Sequence, residues 1–354
     1  MDAAIRAQFG SAYVHLDTAC YGLLPAPAAD AAHLLLRELG AHRVMGAGPF
    51  EDIDACRRSF ARISGVPTGR VALGSAVSVS VGLVASALPA GAEVLCAEGE
   101  FISLTNPFAV RPDLKVRTVP LADLAASVRP GTDLVAVSSV QSGTGRLADL
   151  AAVRAAARSH GARTLVDTTQ ECGWRPVRAA GFDVTVCSAH KWLLCPRGVS
   201  FLTVSEEAQE WILPRHACWM AGADPLGPPA DAVQLARDAR RYDQSVPALP
   251  YAAGRHSLEL IAELGVERVG RHNIALADRF RAGAVRLGLE PAPAPGSAIV
   301  LVPGAAHAVG HLHRAGITAT DRSGLRCSFH LYNTEEHVDR ALNVLEESLS
   351  ARAT

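Results

Sequence analysis

The chain has 354 residues, 49% of them hydrophobic, enough for one large core or two domains. Its 34 Lys and Arg against 35 Asp and Glu give a formal net charge of −1, and no basic run stands out, which argues against nucleic-acid binding. No apolar stretch approaches the roughly 20 residues of a membrane span, and residues 1–17 lack a signal peptide's apolar core, so a cytoplasmic protein with no membrane partner is expected. The eight cysteines show no C-x-x-C pair or finger spacing, which points to reduced thiols and no metal.

From the N-terminus, residues 15–19 read as a short strand turning at Gly22, with Pro25 and Pro27 suited to a helix's first turn. Residues 28–40 carry helical apolar spacing, and a glycine-punctuated loop, 43–50, precedes a helix over 51–63. Residues 71–78 run from a strand into small residues, followed by a helix to Leu88. Small residues at such a turn let backbone amides approach an anion at the positive end of the helix. The strand at 93–96 ends in Glu98-Gly99-Glu100-Phe101, and the strand at 133–140 leads to Gln141-Ser142-Gly143-Thr144-Gly145, whose glycines suggest a tight turn against a ligand. A helix over 147–160 completes the alternation expected of a parallel sheet.

The stretch 164–202 concentrates the chemistry. Two β-branched runs, 164–166 and 184–186, end on Asp167 and on Ser188-Ala189-His190-Lys191. In an α/β sheet, ligands sit beyond the carboxyl ends of the strands, so an acid and a lysine leaving neighbouring strands can face one site. That pairing suggests a lysine Schiff base. Pyridoxal phosphate needs an amine for its aldehyde, a carboxylate for its pyridine nitrogen, and amides and hydroxyls for its phosphate. Lys191, Asp167 and Ser188 with His190 match these in turn. A lone lysine or strand-end aspartate is usually solvated or structural, so the order and spacing carry the inference.

Further on, residues 198–204 read as an antiparallel strand, and 211–229 form a Pro/Gly-rich connection or a loop over substrate, with His216 and Trp219 as candidates. Helices over 251–264 and 267–287 lead to a strand–helix–strand pattern and a final helix from Thr334, an α+β unit of about 100 residues.

Asp167-x-x-Gln170, Phe182-Asp183, Ser188-x-His190-Lys191-Trp192 and Pro196-x-Gly198 together resemble the class V aminotransferase family, and the resemblance spans nearly the whole chain. That family is fold-type I and uses pyridoxal 5'-phosphate; it includes cysteine desulfurases, kynureninase, isopenicillin N epimerase-like proteins and C–S lyases. The resemblance implies an α/β large domain with a mainly parallel, seven-stranded-type sheet over residues 21–240. A smaller α+β C-terminal domain over 241–354 and an N-terminal segment, 1–20, associated with it complete the expectation.

It further implies that Val77 and Ser78 cradle the phosphate, Phe101 stacks on the ring, and Gln170, Ser188 and His190 join Asp167 and Lys191 around the cofactor. Gln141 and Trp219 become candidate substrate contacts, and Arg326, in a segment resembling R-x-S-x-x-x-Y-N-T, grips an α-carboxylate. Residues 240–247 resemble a segment that reaches the partner subunit's cofactor phosphate, with Val246 in place of the usual Thr, which moves the contact to Ser245. A homodimer with composite sites acting on a small-molecule amino acid substrate is thereby implied.

Persulfide-forming desulfurases carry a cysteine on the loop before the arginine, and residues 318–325 contain none. β-Elimination, as in a C–S lyase, therefore fits best. An aminotransferase or epimerase of a specialised-metabolite amino acid is the alternative, ahead of a desulfurase or a non-catalytic binding protein.

Overall fold

The computed structural model describes residues 1–10, 12–43, 48–227 and 234–353. Half of the 43–50 loop (44–47) and the last two residues of the 211–229 connection lie outside the described residues. In chain order the elements begin with α1 (Ala3–Arg6), β1 (Val14–His15), α2 (Ala26–Gly40), α3 (Gly48–Ser64), β2 (Val71–Gly74), α4 (Val77–Ala87), β3 (Glu93–Ala97), α5 (Ile102–Ala109), β4 (Lys115–Val119) and β5 (Thr132–Ser138). There follow α6 (Leu150–His160), β6 (Arg163–Asp167), β7 (Val184–Ser188), β8 (Ser200–Val204), α7 (Ala208–Trp211), α8 (Ala248–Leu264) and α9 (Val266–Arg286). The chain closes with β9 (Ile299–Pro303), α10 (Ala308–Arg314), β10 (Ile317–Thr318), β11 (Thr320–Asp321), β12 (Gly324–Ser328) and α11 (Glu335–Ala353).

Seven strands form the central sheet in the order β2-β8-β7-β6-β5-β3-β4. Strands β3, β5, β6 and β7 are almost wholly buried, because helices cover both faces of a parallel sheet. β8 runs antiparallel to both β7 and β2, as the sequence predicts. β4, Lys-Val-Arg-Thr-Val, is an exposed edge whose charged residues discourage further pairing. Among the described residues, no helix is long and apolar enough to cross a membrane.

A second, antiparallel sheet, β11-β12-β9, lies in the C-terminal part. β1 pairs in parallel with β10, and Asp17 bridges to Ser328, so the first residues of the chain join its last unit. Helix α8, expected in the C-terminal domain, packs instead on α2 and α3. Its Tyr251 hydroxyl donates to the carbonyls of Gly74 (2.8 Å) and Ser200 (3.0 Å) on the central sheet. α8 is thus tied to the elements of the central-sheet part of the chain.

The glycine turn after β5 also needs correction. Gly145, at φ +75°, meets the backbone of Ile299 in β9 rather than a ligand, since a Cβ there would lie 2.7 Å from the Ile299 carbonyl oxygen.

The N-terminal segment is held just as closely over Lys191. Gly22 N–H donates to the His190 carbonyl at 2.9 Å, and a Cβ on Gly22 would lie 2.0 Å from the Lys191 carbonyl oxygen. Gly22→Ala is expected to cost about 1–3 kcal/mol as an overpacking change. A thermal or urea melt checks this; an unchanged midpoint would show that the two backbones separate freely.

Candidate active site

β5, β6 and β7 run parallel, so their carboxyl ends open on one side of the sheet. A cavity of about 260 Å³ lies there, lined by Asp167, Gln170, Ser188, His190 and Lys191 among others. Phe101 and the first turn of α4, with Val77 and Ser78, complete its other walls. Thr169 sets the spacing of the two strand ends. Its amide donates to Asp167 Oδ1 at 2.9 Å, and its hydroxyl accepts from the Ser188 amide at 3.0 Å.

Lys191 is only 8% exposed. Burial pushes its ammonium down to about 8, opposed by the negative Asp167 and assisted by the positive Arg326. Its Nζ lies 5.3 Å from the centre of the Phe101 ring. Burial raises the Asp167 carboxyl, while the Thr169 contacts and the Lys191 charge oppose that rise. His190 is pushed down to about 3 by burial and by the positive Lys191 and Arg197, so its ring is neutral. The ring nitrogen Nδ1 pairs with the Ser188 hydroxyl at 2.8 Å. The turn after Lys191 places Leu194 at φ +57°, a costly conformation for leucine that the buried Ser257 hydroxyl braces by donating to the Leu194 carbonyl at 2.8 Å.

Gln170 faces the cavity with its amide already oriented. Nε2 donates to the Ala19 carbonyl at 2.9 Å and Oε1 accepts from the Trp192 indole at 2.7 Å. At the opposite end, α4 begins on Ala76 with no side-chain cap, which leaves its first amides available beside Ser75 and Ser78. Gln244 steadies this turn by accepting from the amide (3.1 Å) and hydroxyl (2.9 Å) of Ser75. Its neighbour Asp243 forms a buried two-bond pair with Arg57, at 3.0 and 2.6 Å, and accepts from the Leu73 amide at 2.9 Å.

Four sequence candidates do not line this cavity. Gln141 turns away, donating to the Glu98 carbonyl at 2.6 Å, and its neighbours Val140 and Ser142 line the cavity instead. Ser245 and Trp219 are exposed and pair with each other, the indole donating to the hydroxyl at 3.3 Å. His216 likewise lies elsewhere, beside Pro214 and Tyr242.

Arg326, on β12, is buried at one wall of the cavity. Nη2 donates to Asp17 Oδ1 at 3.0 Å and to Cys20 Sγ at 2.8 Å, and Nη1 donates to the Ser142 carbonyl at 2.5 Å. Sequence reasoning missed Cys20, Arg197 and Arg322, which also line the cavity. Residues 318–325 do lack a cysteine, yet a thiol reaches the site from the N-terminal segment. Glu100 was also passed over; burial pushes its carboxyl up to about 7, and it accepts from the Ser138 amide at 3.0 Å. Cys20 and Arg197 sit within motifs already noticed, whereas nothing local marks Arg322.

Residues 84–285 match the sequence model of class-V aminotransferases. Isopenicillin N epimerase of Amycolatopsis lactamdurans is 29% identical, with 95% of each chain covered. The probable hercynylcysteine sulfoxide lyase of Mycobacterium tuberculosis is 31% identical over 56% of this chain and 52% of its own. Among solved structures, cysteine desulfurase from Thermococcus onnurineus superposes with a TM-score of 0.86 at 21% identity, covering 98% of both chains. The cystine C–S lyase C-DES, in complex with cysteine persulfide, also gives 0.86 at 21% identity, covering 95% of this chain and 98% of that one. These superpositions agree with the fold expected from the sequence.

Because the neutral amine is the nucleophile, capture of pyridoxal phosphate by cofactor-free protein should accelerate as pH rises through about 8. Asp167 favours the ammonium, so Asp167→Asn should move that midpoint to lower pH. Growth of the visible cofactor band against pH measures both; a midpoint near the ordinary lysine value would contradict the role given to burial.

Proposed function

The chain belongs to the class V aminotransferase family and is a pyridoxal-phosphate-dependent enzyme; from that premise we propose that it eliminates a β-substituent from an amino acid, as a C–S lyase does. The donor set of the cavity fits the cofactor. The uncapped start of α4, with Ser75, Ser78 and Ser188, would hold the phosphate, and the neutral His190 orients the Ser188 hydroxyl. Asp167 would keep a proton on the pyridine nitrogen, and the Phe101 ring would lie against the cofactor's face. When bound, the cofactor supplies a sink for the electron pair released at the substrate's Cα.

The observation that carries the reading is Lys191, a buried amine brought down to about 8 and enclosed with Asp167 and Arg326. Such an amine accepts a proton from Cα near neutral pH and would return it to a departing sulfur. One base suffices for β-elimination, and the partial likeness to the sulfoxide lyase supports that choice. Epimerisation is the second reading, favoured by the near-complete alignment with isopenicillin N epimerase; transamination shares its first proton transfer. Cys20 keeps sulfur transfer open as a further outcome, since the thiol lines the cavity.

We also propose a homodimer in which the exposed Ser245 and Trp219 serve the partner subunit's cavity. Light scattering should then give twice the chain mass of 37.1 kDa. A monomeric mass with full activity would remove the composite site.

For the reaction itself, the holoenzyme should be given L-cysteine, cystine and S-alkylcysteine sulfoxides, and the products identified. Pyruvate with ammonia is expected, and Lys191→Ala should lose both the product and the borohydride-trappable cofactor. Inversion at Cα without pyruvate would instead establish the epimerase. Alanine formation that Cys20→Ala abolishes would establish sulfur transfer, and either result would displace the lyase reading.

A further inference from the structure

The end of the cavity assigned to the phosphate is rich in donors and poor in charge. Ser75, Ser78, Ser188 and the first amides of α4 are neutral, and burial beside Lys191 and Arg197 keeps the His190 ring neutral too. A phosphate monoester brings about two negative charges, of which a helix start offsets only about half a unit. Arg326 stands elsewhere, on β12, with Asp17, Cys20 and the Ser142 carbonyl around it.

The sheet register brings one full charge to this end. β8 lies between β2 and β7 and runs against both, and its first residue, Ser200, pairs with Gly74 on one side and Ser188 on the other. The residues just before Ser200 therefore enter the gap between the α4 turn and the strand end that carries His190. Ala189 fixes them there. Its carbonyl accepts from the Cys195 amide and its amide donates to the Val199 carbonyl, each at 3.0 Å, which ties both ends of the loop 196–198. Arg197 and Gly198 of this loop line the cavity. The Arg197 guanidinium carbon lies 5.5 Å from the centre of the Tyr21 ring, and that ring packs at 5.6 Å against His190. The Arg197 charge is felt at both His190 and Lys191, which it pushes down. Among the described residues, no acidic side chain forms an ion pair with Arg197.

We propose that Arg197 anchors the cofactor's phosphate, supplying a full positive charge at the end of the cavity where the other donors are hydroxyls and amides. A guanidinium suits this task because its paired N–H groups can meet two phosphate oxygens at once. The contact with Tyr21 holds the group beside His190 without neutralising it, as an acidic partner would. This rests on the reading that places the phosphate between the start of α4 and Ser188.

The test is equilibrium binding of pyridoxal 5'-phosphate and of pyridoxal to the cofactor-free full chain, followed through the visible band each aldehyde forms with the protein. Pyridoxal has the same ring and aldehyde without the phosphate, so the ratio of the two affinities isolates the phosphate's share. Any effect of Arg197 on the basicity of Lys191 falls on both ligands and cancels. The wild-type protein should prefer the phosphate ester. Arg197→Gln should shrink the ratio roughly tenfold, the size of one lost charge-assisted contact, by weakening the phosphate ester alone. Arg197→Lys should restore part of it, and the wild-type ratio should fall as salt is raised. Ser78→Ala, measured alongside, reports on the phosphate end itself and should shrink the ratio as well. Unchanged pyridoxal binding in each variant shows that the lysine site is intact. A ratio that Arg197→Gln keeps within twofold while Ser78→Ala shrinks it overturns the proposal and leaves the phosphate end standing; so does a loss shared equally by the two aldehydes. If neither substitution moves the ratio, the phosphate is held elsewhere, and the inference falls together with the reading beneath it.

Discussion

A buried ammonium is stable only beside an opposite charge, and Asp167 is the charge this fold sets beside Lys191. The requirement reaches well beyond the two residues. β6 must end on the acid and β7 three residues short of the lysine, and Thr169 must tie the two ends at fixed spacing. The turn after Lys191 must close tightly enough to hold Leu194 in the left-handed region, and Ser257 of α8 must brace it from below. Gly22 then covers the turn from above. Sheet, helix and N-terminal segment thus all bear on the environment of one amine.

The remaining charges of the cavity follow the same logic. His190 is kept neutral by burial between positive neighbours, so it orients a hydroxyl without adding charge of its own. Arg57 and Asp243 neutralise each other in the core, and that pair anchors the segment from which Gln244 reaches the α4 turn. Positioning in this protein is largely done by pairs whose charges cancel.

Much of this was legible in the sequence because strand ends announce themselves. Apolar runs that stop abruptly at Asp167 and Ser188 mark both the sheet and the place where ligands gather, and the small residues after Gly74 mark the turn into α4. β4 went unread because Lys-Val-Arg-Thr-Val has the polarity of an edge, and α5 because Pro107 lies inside it. Gln141 was misplaced by a single residue. Beyond the last hydrogen-bonded pair, side-chain direction depends on the turn, and here the turn delivers Ser142 to the cavity and Gln141 to the Glu98 carbonyl. Cys20 and Arg322 carry no local signature of a shared site, since their meeting depends on pairings between the two ends of the chain.

Asp17 and Arg326 are separated by 309 positions, and Ala19 and Ser328 by the same number. Contacts of such sequence separation form late, because the loop they close is the costliest to order. During synthesis the strands that present Asp167 and Lys191 emerge together, while the hairpin bearing Arg322 and Arg326 is still to be made. The strand ends that carry Asp167 and Lys191 therefore come together before the β12 wall of the cavity closes against residues 17–19.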